Sequence, residues 1–381
     1  MEAILTETVE LEKIHQLALD NQLAVVSYRL PQNHEVTTLM QWSNQPLIVE
    51  DIPALEGKSG FVFCPFDTDS DLPIRLIQPD LIIRGDILQK PEPQQFTDSK
   101  HNTVVQREPI PAQPYQADKS EYLQQVESVK KHIQTGGLDK LVLSRISRES
   151  MPGHFQPTLL FEELSKAYPD AFVFMLYIAD AGLWFGASPE PLLQSNQETI
   201  STVSLAGTRI FKEKNIFSTW GEKELEEQGM VTRYIEDVLQ KAGIERFEKA
   251  GPYSYKAGKI EHLKTSFTID ATYLRGKLAP LLNALHPTPS VCGLPKREAM
   301  EAIKNIEAHN REYYSGFLGP VNMDNQWNIF VNLRSMKAGN DYLAYFLGAG
   351  ITEGSDAENE WEETLNKQNT LQSIVNQLKN F

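Results

Sequence analysis

Acidic side chains stand on two helix faces that the neighbouring apolar residues mark as inward. In segment 356–378, Leu371, Ile374 and Leu378 form a core stripe. Run backwards by threes and fours, that stripe lands on Lys367, on Glu363 or Thr364, and on Glu360. In segment 222–240, Glu227 precedes Val231, Tyr234 and Val238 at helical spacing, and Glu224 stands one turn earlier. Burying carboxylates costs several kcal/mol unless they are paired, hydrogen-bonded or metal-bound. Two such helices brought together would suit a hard cation such as Mg²⁺, which takes one or two protein carboxylates and fills its shell with ligand oxygens and water. A Glu363–Lys367 pair on a solvated face accounts for the later segment equally well.

Lys140 opens a strand-like run whose same-face neighbours Val142, Ser144 and Ile146 are mostly apolar. A lysine desolvated there would lose basicity, from a pKa of about 10.4 toward neutrality, as a general base requires. Glu190, in Gly-Ala-Ser-Pro-Glu at 186–190, follows a buried-strand run and a rigid proline. It would serve as the complementary acid, with an ordinary turn glutamate as the plain alternative. His262, in His-Leu-Lys-Thr-Ser at 262–266, could hydrogen-bond a substrate, although a lone histidine more often serves structure. No His pair has zinc spacing, and no Ser or Cys has the GxSxG surroundings of a nucleophile elbow. The run Gly-Ala-Gly-Ile-Thr-Glu-Gly at 348–354 fits neither GxGxxG nor a P-loop, which disfavours a nucleotide-binding dehydrogenase. It reads as a tight turn between strand and helix, either structural or with its backbone N–H groups turned to an anion.

These groups need elements to hold them. Strand-like runs occur at 23–28, 60–64, 140–146, 172–178, 183–186, 202–205, 327–333 and 342–347. A first helix is expected at 9–19. A second carries Tyr122, Val126, Val129 and Ile133 and stops at Gly136-Gly137. The last helix opens on Ser355-Asp356-Ala357-Glu358, a capping-box spacing. Pro91, Pro93, Pro109, Pro111 and Pro114 make residues 90–119 a connector. The expected division is 1–117, an N-terminal part, and 118–381, a catalytic region, the two intertwined. Short turns such as 180–182 favour antiparallel pairing, hence an α+β protein.

Composition narrows the partners. A chain of 381 residues with 41% hydrophobic and 23% charged residues can bury a sizeable core. A net charge of −15 disfavours nucleic acid and anionic membranes, while a few local cations or a bound metal still permit a small anionic substrate. Cys64 and Cys292 are too few for a disulfide framework, and the acidic N-terminal stretch lacks signal-peptide order. A cytoplasmic monomer is expected.

Taken in order, Asp-Lys-Leu-Val-Leu-Ser-Arg at 139–145, the segments 186–190, 205–209 (Leu-Ala-Gly-Thr-Arg), 223–231 and 262–266, then Leu-His-Pro-Thr-Pro-Ser-Val-Cys-Gly at 285–293, 311–316 and 348–367 resemble the chorismate-utilising enzymes. That family comprises isochorismate, salicylate, anthranilate and aminodeoxychorismate synthases. The resemblance implies one large α+β domain of two packed antiparallel sheets with helices outside and a deep cleft. It implies Glu227 and Glu363 as Mg²⁺ ligands, with Glu360 and Glu224 binding metal-bound water. The metal would receive the ring carboxylate of chorismate, helped by backbone at Gly207 and Thr208, and Arg334 and the Gly348 amide its enolpyruvyl carboxylate. Tyr314, Val291 and Lys367 would line the cleft. Departures from the family pattern are Ser204, where proline is frequent, and Gln228, where histidine is frequent.

Within the family the nearest resemblance is to isochorismate synthases, in which the residues matching Lys140 and Glu190 act as base and acid on water. Ammonia-using members do not usually carry that lysine. Salicylate synthases share it and also eliminate pyruvate, which keeps them as the alternative, beside a chorismate-binding homologue without turnover. Menaquinone synthesis is the expected destination of isochorismate, a siderophore the other.

Overall fold

Runs of β-branched and aromatic residues pair into two antiparallel sheets whose facing sides make the main core. The structure is a computed structural model that describes residues 10–88, 113–211, 219–257, 260–274 and 276–379. The ten-stranded sheet runs, in spatial order, Gly293–Leu294, Lys140–Ser150, Tyr342–Ile351, Ser335–Ala338, Gly182–Ser188, Phe172–Ile178, Val25–Arg29, Val36–Met40, Leu81–Arg84 and Ile87–Leu88. The nine-stranded sheet runs Glu248–Ala257, Ile260–Asp270, Thr199–Ile210, Pro191–Ser195, Trp327–Val331, Phe317–Val321, Gly60–Cys64, Ile74–Ile77 and Leu47–Val49. N-terminal strands lie inside both sheets, since Val25–Arg29 pairs with Phe172–Ile178 and Gly60–Cys64 with Phe317–Val321.

Aromatic rings bridge the sheets. Phe172 stacks on Phe330 at 4.3 Å between ring centroids, and Phe63 on Tyr313 at 3.9 Å. Helices cover the outer faces. Pro157–Ala167 and Ala357–Leu378 bring Phe161, Leu164, Leu371 and Ile374 against Phe185, Met336 and Leu343 of the larger sheet. Glu222–Lys241 and Leu278–Leu285 bring Val231, Ile235 and Leu282 against Ile200, Phe267 and Ile269 of the smaller one. No helix of the described residues is long and apolar enough to cross a membrane.

The expected helices at 222–240 and 356–378 form as Glu222–Lys241 and Ala357–Leu378, and the first helix runs Leu11–Asp20. The connector's residues 90–112 and Val9 lie outside the described residues, and Lys119 already begins the helix Lys119–Gln134. Two local readings change. The glycine run is not a turn: Gly348 and Gly350 pair with Ser144 and Val142 inside Tyr342–Ile351, and the chain turns only after Ile351. Strand pairing captures these glycines because side chains are excluded on that face. The last helix is capped by Asp356, whose carboxylate accepts from Asn359 N at 3.0 Å, while Ser355 Oγ accepts from Thr352 N at 3.1 Å. The carboxylate one residue later reaches the open N–H groups better than the serine does.

Candidate active site

A narrow cleft of about 60 Å³ opens between the sheets and the helices Glu222–Lys241 and Ala357–Leu378. Glu190, Gly207, Thr208, Glu227, His262, Val291, Tyr314, Arg334, Gly348, Glu363 and Lys367 all line it. Lys140, Glu224 and Glu360 are not among the residues that line it.

Lys140 is fully buried at the start of Lys140–Ser150, where Leu294 pairs with it. Its Nζ lies 2.7 Å from Glu227 Oε1, an ion pair without an aligned hydrogen bond. Gly350 makes this approach possible. A Cβ on it would fall 2.6 Å from Glu227 Oε1 and 3.2 Å from Lys140 Cε. The Lys140 strand is anchored further along, where Ser144 N donates to Glu307 Oε1 at 2.6 Å. Arg311 pairs with Glu307 and donates to the carbonyls of Val142 (2.6 Å) and Val291 (2.8 Å), tying that strand to the 286–293 loop. Arg145 ties it to the last helix by donating to Thr364 Oγ1 at 2.8 Å and covering the Trp361 ring.

Three lysines pair with the carboxylates of the two acidic helices, and one of them, Lys223, joins helix to helix. Besides Lys140–Glu227, Lys367 pairs with Glu363 at 2.7 Å and Lys223 with Glu360 at 2.6 Å. The Glu363–Lys367 pair is intrahelical, yet both members face the cleft, so the two readings of that spacing coexist. Burial alone would raise the Glu227 carboxyl, but Lys140, Lys223 and Lys367 outweigh it and hold its pKa below the ordinary value. At Glu360 burial and the neighbouring Glu363 win over Lys223, and the pKa rises. Glu224 packs its Cβ against Gly207, 3.0 Å from where a Cβ on that glycine would lie. Among the described residues no three acidic, His or Cys side chains converge into a ready metal cage. Glu227 and Glu363 remain an all-oxygen pair on one cleft, a donor set that suits Mg²⁺ completed by ligand and water.

Glu190 is the carboxyl where burial dominates. Removal from solvent raises its pKa to about 7, against the opposing pull of Ser290, Lys140, Lys367 and Arg334. Ser290 was not singled out from sequence, although it lies in the 285–293 segment. Its hydroxyl stands against the Glu190 carboxyl and donates to the carbonyl of Leu205 at 3.0 Å.

The opposite wall is built on a β-bulge between Ala206 and Thr208. Gly207 there has φ +65°, a left-handed conformation costly for other residues. Its carbonyl accepts from His262 Nδ1 at 3.0 Å, so the ring's Nε2 is left as an acceptor. Burial, Arg334 and Lys367 lower the His262 pKa to about 3, keeping the imidazole neutral. Arg334, at φ +48°, sends Nη2 to within 3.5 Å of that Nε2 and Nη1 to Thr370 Oγ1 at 3.3 Å. A bulky residue in this backbone region is strained, as is common where a side chain must be aimed. Lys367 Nζ also donates to Gly348 O at 2.7 Å.

The two departures from the family pattern meet each other. Gln228, next to Glu227, donates through Nε2 to Ser204 Oγ (2.9 Å), Ser204 O (3.2 Å) and Thr265 Oγ1 (3.1 Å). This buried amide fixes the Glu227 helix to the strands that carry Gly207 and His262.

Residues 76–376 match the family described as chorismate binding enzyme. The isochorismate synthase EntC of Escherichia coli (strain K12) is 29% identical over 286 residues, 73% of this chain and 71% of that protein. The anthranilate synthase component 1 of Streptomyces coelicolor is 29% identical over 265 residues, 67% of this chain and 51% of that one. The solved structure of MenF, the menaquinone-specific isochorismate synthase from Escherichia coli, superposes with a TM-score of 0.74 at 20% identity, covering 97% of this chain and 92% of its own. The same two-sheet fold, with the family match across most of the chain, makes this protein a member of the chorismate-binding enzymes.

Proposed function

We propose that this chain converts chorismate to isochorismate in a Mg²⁺-dependent reaction. The observation that carries the reading is Glu190, a carboxyl on the cleft wall raised to about 7 and so able to hold a proton near neutrality, with the buried Lys140 beside the same cleft. Lys140, once free of Glu227, takes a proton from a water that adds to one ring carbon. Glu190 gives its proton to the hydroxyl leaving another carbon, and the ring double bonds shift between them. One water is consumed and one released. Afterwards a proton returns from Lys140 to Glu190 through solvent.

Gly207 and Thr208 offer backbone groups to the ring carboxylate, and Arg334, Lys367 and the Gly348 amide face the enolpyruvyl carboxylate. His262 Nε2 accepts from a substrate hydroxyl, while Tyr314 and Val291 shape the wall. Glu227 and Glu363 would hold Mg²⁺, with Glu360 and Glu224 reaching its waters. When bound, the ion supplies positive charge against the substrate carboxylate. The product is assigned to menaquinone synthesis.

The test is chromatographic analysis of products from purified protein, chorismate and Mg²⁺, with Lys140→Ala and an EDTA-treated sample alongside. Isochorismate from the metal-loaded, unaltered protein alone is expected. Salicylate with pyruvate, or anthranilate on adding ammonia, would replace this reading, and unchanged chorismate would leave a binding protein without turnover. Complementation of strains blocked in menaquinone or siderophore synthesis separates the two destinations.

A further inference from the structure

Directly behind Arg334 lies a second chamber of about 510 Å³, far larger than the cleft it adjoins. The two cavities share Arg334 and Pro189. Its walls carry Tyr168, Lys256, Arg334, Thr370, Ser373 and Gln377. Lys256 and Gln377 are exposed, so this end faces solvent, while the Arg334 guanidinium closes the inner end. The cleft itself has room for only a few waters, whereas sites for small organic ligands usually hold roughly 300–1,000 Å³.

We propose that this chamber is a vestibule that captures the anionic ring substrate before Arg334 admits it to the cleft. The inference rests on the chorismate reading above and adds its access route. Charge supports it. A protein of net charge −15 repels a dianion over most of its surface, so capture needs a local cationic mouth. Two cations line the chamber, Arg334 and Lys256, whose Nζ rests 4.1 Å over the Phe211 ring, against the single carboxylate of Asp170. The geometry of Arg334 suits a gate. Its hydrogen bonds, 3.3 Å to Thr370 and 3.5 Å to His262, are long, so the guanidinium is held by the nearby Glu363 and Glu190 carboxyls at a distance and not by a short directed pair. A carboxylate arriving from the chamber gives it a stronger partner, and turning toward that partner opens the wall shared with the cleft. Tyr168, by contrast, is committed at 2.7 Å to the Thr370 carbonyl and serves as fixed wall.

The experiment uses the full chain with chorismate and Mg²⁺, reading kcat and kcat/KM at low and high ionic strength. Lys256→Glu reverses the outer charge and Ser373→Trp fills the chamber. Lys249→Glu changes net charge equally on the same strand, beside Glu236. Lys256→Glu is expected to lower kcat/KM about tenfold at low salt, with the difference shrinking as salt screens it, and kcat within about twofold of the unaltered enzyme. Ser373→Trp should lower kcat/KM at every ionic strength, and Lys249→Glu should change little. If the unaltered enzyme consumes chorismate but both chamber variants, folded with normal thermal midpoints, keep its kcat/KM, the vestibule is overturned alone. The same holds if Lys249→Glu matches Lys256→Glu. If the unaltered protein does not turn chorismate over, the substrate reading falls and takes the vestibule with it.

Discussion

Glu190 and Glu227 are carboxylates on the same cleft, yet burial decides the protonation of one and neighbouring ammonium groups that of the other. In the proposed reaction this difference would let two identical chemical groups take an acid's part and a cation-binding part. If Glu190 must be protonated to act, kcat/KM should fall as pH rises through about 7, and Glu190→Gln should abolish that limb with a rate loss of roughly 10²- to 10⁴-fold. A pH–rate profile of the two proteins checks both statements.

At the scale of elements, the site depends on how closely two helices approach strands whose facing residues are small or polar. Gly350→Ala places a methyl group against the ends of Lys140 and Glu227, which are flexible, and not against backbone. Stability should therefore drop by only about 1 kcal/mol while kcat falls at least about tenfold, an outcome that thermal unfolding and turnover measured together would reveal. Gln228→Leu should behave differently. It removes the donor that serves Ser204 and Thr265 in a buried setting, and should cost about 1–3 kcal/mol in chemical denaturation.

Over the whole molecule, buried histidines set the response to acid. His15 joins the first helix to the larger sheet, within 2.7 Å of Ser27 Oγ and 2.8 Å of Thr158 Oγ1, and burial lowers its pKa to about 4. Because its folded pKa lies below the unfolded value of about 6.5, the folded state loses stability as pH falls from 6.5 toward 4. That loss is roughly 2 kcal/mol between pH 7 and pH 5. His262 and His286, each lowered to about 3 chiefly by burial, act in the same direction. Glu190 acts oppositely: its raised pKa adds stability that is complete below pH 4.5 and is lost as pH rises through about 7. His15→Gln should flatten the dependence of the unfolding midpoint on pH by about one proton's worth across this window. An unchanged slope would remove His15 from the account.

Much of this protein was legible in one dimension. Helical and strand periodicities located the two acidic helices and the strand of Lys140, because each buries one side and repeats at 3.6 or 2 residues. The order of short motifs identified the family. What spacing cannot carry is which residues from distant segments touch. The Lys140–Glu227 pair joins positions 140 and 227, and Ser204 meets Gln228 across two elements. The glycines at 348 and 350 looked like a turn because glycine permits turns, and only strand pairing with Val142 and Ser144 revealed them as space left for Tyr314 and Glu227. Residue types were set by the sequence alone. Protonation, access and the chamber behind Arg334 came only from the fold, since desolvation and neighbouring charge depend on what surrounds a group in three dimensions.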